Sequence, residues 1–147
     1  MKIFIDTWGF KALIDSDDEH HNNVKKLFED FWINKSKLFT TDYILDETIT
    51  LLSVKAGAKA AKKFTDIIIA GEAVEIKWVE KRSFYESLEL KFKYSDKPKI
   101  SFTDFTSMAV MHSNDIKHIV TNDKHFESVN LGLKLVRETS ESFANKL

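Results

Sequence analysis

Cysteine is absent from this chain of 147 residues, proline occurs once and glycine four times. Without cysteine there is no disulfide, no thiolate metal site and no cysteine nucleophile, which suits a reducing cytoplasm. So little proline and glycine leaves few interruptions to regular structure, and helices should dominate. Long hydrophobic runs are missing as well. The longest purely apolar stretch near mid-chain covers only residues 67–70, too short to span a membrane. At the N-terminus, Lys2 precedes only Ile3, Phe4 and Ile5 before Asp6 interrupts, too few residues for the apolar region of a signal peptide. A cytoplasmic protein is expected.

The chain also lacks an excess of either charge. Its 22 basic and 23 acidic residues give a net charge of −1, which argues against holding nucleic acid by bulk electrostatics. Two routes around that objection remain open. Bound divalent metal would add positive charge where a phosphate sits, and the lysines are unevenly spread. Lys55, Lys59, Lys62 and Lys63 form one basic run, and Lys91, Lys93, Lys97 and Lys99 another. Each is read first as a solvated face.

Several enzyme signatures are absent too. There is no G-x-x-x-x-G-K-[ST] phosphate loop, no G-x-G-x-x-G dinucleotide turn and no G-x-S-x-G nucleophile elbow. The histidines, His20, His21, His112, His118 and His125, show no zinc-ligand spacing and are expected mostly at the surface.

What is present describes a globular domain. The composition is 43% hydrophobic and 31% charged, and the length suits a single domain spanning 1–147. A chain of this size buries roughly 70% of its unfolded surface and needs no covalent staples. Short apolar runs rich in β-branched and aromatic residues predict strands at 2–5, 37–40, 73–77, 118–121 and 134–136. Val24, Leu27, Phe28 and Phe31 recur at i, i+3, i+4 and i+7, the pattern of a helix with one buried face. Further helices are predicted over 43–55, 58–70, 80–93 and 102–114. Strands separated by helices imply an α/β fold with a mainly parallel sheet of about five strands, covered on both sides. Such sheets bind ligands at the carboxyl ends of their strands, where the strand order reverses.

Two acids fall at such ends. Asp6 directly follows the first predicted strand, and Asp123 closely follows the fourth. Either could simply cap the helix after it, since Asp is a favoured N-cap. Two other acids lie on helices. Glu47 shares a face with Ile44, Leu51 and Val54, so it is expected along a buried apolar stripe, where a carboxylate needs a partner. Asp46 shares its face with Asp42, Thr50 and Ser53 and is expected in water. Asp104 has Met108 and Met111 at i+4 and i+7, but Ser101-Phe102-Thr103-Asp104 also matches the S-x-x-D capping box.

These residues carry a resemblance. Asp6-Thr7 after the first strand, Glu47 in a helix, the S-x-x-D helix start at Asp104, and Thr121-x-Asp123 after the fourth strand resemble the pattern of PIN-domain nucleases. Ala109, Ile116, Ile119 and Phe126 extend the similarity, which runs in order along almost the whole chain and in particular resembles VapC-type toxins of toxin–antitoxin pairs. Trp8 is a departure, because a small residue commonly follows the Asp-Thr pair in that family. Its side chain is read as a core aromatic rather than a base-stacking one.

The resemblance implies a PIN-like three-layer α/β/α fold and a Mg²⁺- or Mn²⁺-dependent endoribonuclease. It implies Asp6, Asp104 and Asp123 as metal ligands. Glu47 would act as a ligand, directly or through water, or orient the nucleophile; Thr7 and Thr121 would steady the carboxylates through their hydroxyls. RNA would be the substrate, a cognate antitoxin the partner, and a homodimer is compatible with the eighteen aromatics (3 Trp, 3 Tyr, 12 Phe). Two other readings stay open: a catalytically inactive PIN-like module that binds RNA or protein, and a chromosomal RNA-processing nuclease.

Overall fold

The computed structural model describes residues 1–136; residues 137–147 of the expected single domain lie outside the described residues. Five strands form one sheet: β1 (Lys2–Ile5), β2 (Lys37–Thr41), β3 (Val74–Lys77), β4 (His118–Val120) and β5 (Lys134–Leu135). All pair in parallel, in the order β3-β2-β1-β4-β5. The predicted strands match these within a residue at either end.

Ile3, Phe4 and Ile5 are fully buried, as are Ile119 and Val120. A strand buried on both faces is apolar at successive positions, which is why these runs do not alternate. The helices that cover the sheet are α1 (Thr7–Ile14), α2 (His21–Ile33), α3 (Asp42–Lys55), α4 (Ala58–Phe64), α5 (Lys81–Lys93), α6 (Phe102–Ser113) and the short α7 (His125–Ser128). The result is a three-layer α/β/α fold. Among the described residues no helix is long and apolar enough to cross a membrane.

The continuous helix predicted over 58–70 divides. After α4 the backbone widens into a π-helical segment at Thr65–Ile69, with the Ala70 N–H donating to the Thr65 carbonyl (3.1 Å). Two helix starts are set by side chains. Thr41 Oγ1 accepts from the Ile44 N–H (3.2 Å), and Ser101 opens α6 through a complete capping box.

Strand order fixes the position of the site. From β1 the chain passes to β2 on one side, and β4 returns to the other side of β1, so the order reverses between β1 and β4. That is where an open parallel sheet leaves a crevice beyond its carboxyl ends. Gly9 lets α1 sit close over this junction. A Cβ there would lie 3.0 Å from Val120 Cγ1, 3.1 Å from Ile5 Cγ2 and 3.2 Å from the Val120 carbonyl oxygen.

Candidate active site

The crevice is built from the turns that leave β1 and β4. The Asp6 N–H donates to the Val120 carbonyl (3.2 Å), which locks the two turns together. Asp6 occupies the N-cap position of α1, yet its side chain makes no capping hydrogen bond. Capping therefore does not account for the carboxylate. Instead it accepts a hydrogen bond from Thr121 Oγ1 (2.7 Å) across 115 residues of sequence. The same Thr121 oxygen accepts the Asp123 backbone N–H (3.2 Å). One fully buried hydroxyl thus ties together the acid after β1 and the acid after β4.

Asp6 is 7% exposed, and burial raises its pKa from 3.8 to about 7. The Thr121 hydroxyl and the nearby Thr7 backbone N–H oppose that rise, whereas the charges of Asp104 and Glu47 add to it. Asp104 is raised as well, first by burial and further by Asp123 and Glu47, against the opposing Ser101 backbone N–H and hydroxyl. The four acids therefore share one electrostatic neighbourhood. Asp6 senses Asp104 and Glu47, and Asp104 senses Asp123 and Glu47.

Asp104 is half-buried and closes its capping box in both directions: Asp104 Oδ2 accepts the Ser101 N–H (3.1 Å), and Ser101 Oγ accepts the Asp104 N–H (3.1 Å). The structural and the electrostatic readings of this residue hold together. Asp123 Oδ1 accepts the His125 backbone N–H (2.9 Å) and also lies 2.9 Å from His125 Nδ1. The Thr121 hydroxyl, the Ser101 N–H and the His125 N–H thus engage Asp6 Oδ2, Asp104 Oδ2 and Asp123 Oδ1.

Glu47 requires a correction. It is exposed, and along its stripe Leu51 is half-buried and Val54 75% exposed, with only Ile44 fully buried. The buried face of α3 is made by Ile44, Leu45, Thr48 and Leu52. The apolar neighbours on the Glu47 stripe line an open groove of about 470 Å³ together with Tyr43, Asp46, Thr50 and Thr103. Asp46 thus borders the same groove as Glu47, although it is the Glu47 charge that ranks among the leading influences on Asp6 and Asp104. Asp42 is structural: its Oδ1 accepts the Val79 N–H (2.7 Å).

Thr7 is buried, but its hydroxyl meets Thr48 Oγ1 (3.4 Å), so it links α1 to α3 rather than bonding a carboxylate. Thr48 was not singled out from the sequence. A threonine at i+4 from Ile44 on the buried face is the signal that could have found it, and its hydroxyl also donates to the Ile44 carbonyl (2.7 Å). Trp8 packs against the core and meets the His20 ring at 5.1 Å, in keeping with a core aromatic. Among the histidines His112 is exposed and the His20 and His125 side chains are each 42% exposed, at the surface as expected, whereas His21 and His118 are half-buried. The second basic run differs in part too: Lys91 Nζ donates to the Ile100 carbonyl (3.0 Å) and lies 5.7 Å from the centre of the Phe105 ring.

Carboxylate oxygens suit a hard divalent cation, which commonly takes one or two carboxylates and fills its remaining positions with water and phosphate oxygens. Among the described residues no group of three or more His, Asp or Glu side chains is placed to hold a metal ion. By chemistry, the all-oxygen donors of Asp6, Asp104, Asp123 and Glu47 suit a hard cation that keeps most of its water. A cation would also relieve the repulsion that raises Asp6 and Asp104.

The PIN domain family model matches residues 3–131. The chain is 30% identical over 127 residues to the 23S rRNA-specific endonuclease VapC20 of Mycobacterium tuberculosis, a match that covers 86% of this chain and 92% of that protein. The crystal structure of M. tuberculosis VapC20, described as a Sarcin-Ricin loop cleaving toxin, superimposes with a TM-score of 0.78 at 27% identity, covering 93% of this chain and 98% of that one. VapBC2 from Rickettsia felis, solved bound to a DNA fragment from its promoter, shares the fold with a TM-score of 0.72 at 18% identity, covering 92% and 98% of the two chains. With a family model across most of its length and a curated relative over 86% of it, the chain belongs to the PIN-domain family.

Proposed function

We propose that this chain is an endoribonuclease that hydrolyses RNA phosphodiester bonds with a divalent metal ion, and that it is the toxin of a type II toxin–antitoxin pair. The observation that carries this reading is the buried Asp6 carboxylate at the β1–β4 switch point, held by Thr121 and within electrostatic reach of Asp104 and Glu47. Membership in the PIN family and the similarity to an rRNA endonuclease supply the reaction class.

Mg²⁺ or Mn²⁺ is the proposed ion, with Asp6, Asp104 and Asp123 as its ligands and Glu47 reaching it through water. When bound, such an ion supplies charge neutralisation at the phosphate and a more acidic water. The remaining work falls to the chain. Thr121 fixes the Asp6 carboxylate and the turn carrying Asp123 in one hydrogen-bonded unit. The Ser101 box fixes Asp104 at the start of α6. Glu47, exposed and near enough for its charge to act on Asp6 and Asp104, would accept a proton from, or orient, a water approaching from solvent.

The whole chain, 1–147, would act as one nuclease domain in the cytoplasm, where its substrate RNA is found. A cognate antitoxin is the expected protein partner. A homodimer is proposed from the apolar surface left by Trp32, Val54, Trp78 and Phe92, all well exposed. Incubating purified protein with labelled RNA tests the reading: cleavage should stop in EDTA and return with excess Mg²⁺ or Mn²⁺. Cleavage undiminished in EDTA would refute the metal-dependent mechanism.

A further inference from the structure

Tyr43 is an aromatic side chain that the fold leaves unused. Trp8 and Tyr94 pack against the hydrophobic core, but half-buried Tyr43 does not. Among the described residues its hydroxyl has no hydrogen-bond partner and its ring no aromatic one. The side chain instead lines the open groove of about 470 Å³ between α3 and the start of α6. Thr103 lines it from the α6 side, also with a hydroxyl that nothing among the described residues bonds.

Two features tie this groove to the acidic site. Glu47 is one of its lining residues and follows Tyr43 at i+4, so the two share a face of α3. Thr103 directly precedes Asp104, on which the Glu47 charge acts. The groove thus opens beside two of the acids proposed to act on a phosphodiester. Larger grooves beside Trp32 (about 940 Å³) and Trp78 (about 730 Å³) have none of the four acids among their lining residues.

The lining residues define what the groove accepts. They include no lysine or arginine, and the two acids among them, Asp46 and Glu47, repel phosphate. A neutral, flat group with polar edges fits instead. The Tyr43 ring offers it a stacking surface, Leu51 adds apolar contact, and the Thr103 hydroxyl can both donate and accept. We infer that Tyr43 is a substrate-binding residue that stacks an unpaired nucleobase flanking the cleaved phosphodiester, with Thr103 at the edge of that base. This rests on the endoribonuclease reading proposed above. Base–aromatic stacking is tolerant of sequence, so Tyr43 sets where the strand lies and Thr103 is the group able to prefer one base edge.

The test is steady-state cleavage in Mn²⁺ by the full chain, with circular dichroism confirming that each variant is folded. The substrate is a labelled single-stranded RNA centred on a bond that wild type cuts in total RNA. A parallel set carries an abasic ribose at each position in turn around that bond. Tyr43→Ala should raise KM about tenfold with kcat within about twofold, because stacking that is equal in bound substrate and transition state acts on KM alone. Tyr43→Phe and Tyr43→Trp keep a ring and should stay within about threefold of wild type. Removing one particular flanking base should raise KM about tenfold for wild type and no further for Tyr43→Ala. Unchanged KM in Tyr43→Ala, a Tyr43→Phe as weak as Tyr43→Ala, or equal losses from base removal in both proteins would overturn the inference and leave the nuclease reading intact. So would a fall in kcat at unchanged KM, which would trace the effect of Tyr43 to Glu47. Loss of a dimer in sedimentation with KM unchanged would give the groove to a second copy of the chain and also overturn it. Failure of wild type to cut total RNA would overturn both readings.

Discussion

Replacing Asp6 by Asn should stabilise the metal-free protein at neutral and alkaline pH while removing its activity. Asp6 has its pKa raised from 3.8 to about 7, chiefly by burial. A shift of that size costs folding about 4 kcal/mol once the group is ionised in both states, at 1.36 kcal/mol per pKa unit. The sign follows from proton binding. Below the unfolded pKa both states are protonated and the cost is absent. Between pH 4 and 7 the native state keeps a proton that the unfolded chain has released, so stability falls as pH rises. Above about pH 7 the full cost is present and the curve flattens. Asn carries no charge and still offers an oxygen to Thr121, though its buried NH₂ needs a partner, which takes back about 1–2 kcal/mol. The net gain of about 2–3 kcal/mol corresponds to a rise in Tm of about 5–10 °C for a domain of this size. Thermal melts in EDTA from pH 4 to 8 should show Asp6→Asn slightly less stable than wild type near pH 4, the two proteins crossing at about pH 5 and the variant more stable above it. Saturating Mn²⁺ should raise the Tm of wild type but not of Asp6→Asn. A constant separation at all pH values, or a variant less stable than wild type at pH 8 in EDTA, would refute the reasoning.

Substitutions at three other positions probe separate parts of the site and its support. Thr121→Val removes the bond to Asp6 and the acceptor of the Asp123 N–H, so urea denaturation should show a loss of about 1–3 kcal/mol that Thr121→Ser largely restores. Asp104→Asn keeps an oxygen for the Ser101 N–H and removes a charge that raises Asp6, so it should melt higher than wild type in EDTA at pH 8; Asp104→Ala, which breaks the box, should lose about 1 kcal/mol relative to Asp104→Asn. Gly9→Ala places a Cβ against Val120 and Ile5, and despite its better helix propensity should destabilise the fold by about 1–3 kcal/mol in the same denaturation assay.

The strands were legible because their chemistry is simple. Ile3-Phe4-Ile5 and Ile119-Val120 are buried on both faces, and continuous apolar runs announce that without any knowledge of their neighbours. Asp104 was legible as a cap because the capping box is local, complete within four residues. What failed depended on distant parts of the chain. Periodicity puts Glu47, Leu51 and Val54 on one face of α3 but cannot say whether anything covers that face, and nothing does over Val54. The Thr121–Asp6 bond joins residues 115 apart, so only the order of β1 and β4 in the sheet makes them partners. The π-helical segment at Thr65–Ile69 escaped because Ile67, Ile68 and Ile69 fit an α-helical and a π-helical period equally well over so short a run.

The most direct test of the central claim is the initial rate of RNA cleavage in Mn²⁺ by wild type, by Asp6→Asn, Asp104→Asn, Asp123→Asn and Glu47→Gln, and by Asp46→Asn as the neighbouring control. Asp46 shares the groove with Glu47, but Glu47 is the one whose charge is among the leading influences on Asp6 and Asp104. The account predicts that the three aspartate variants lose cleavage, that Glu47→Gln is severely slowed, and that Asp46→Asn stays near wild type. Full activity in a folded Asp6→Asn protein, or a loss in Asp46→Asn equal to that in Glu47→Gln, would contradict it.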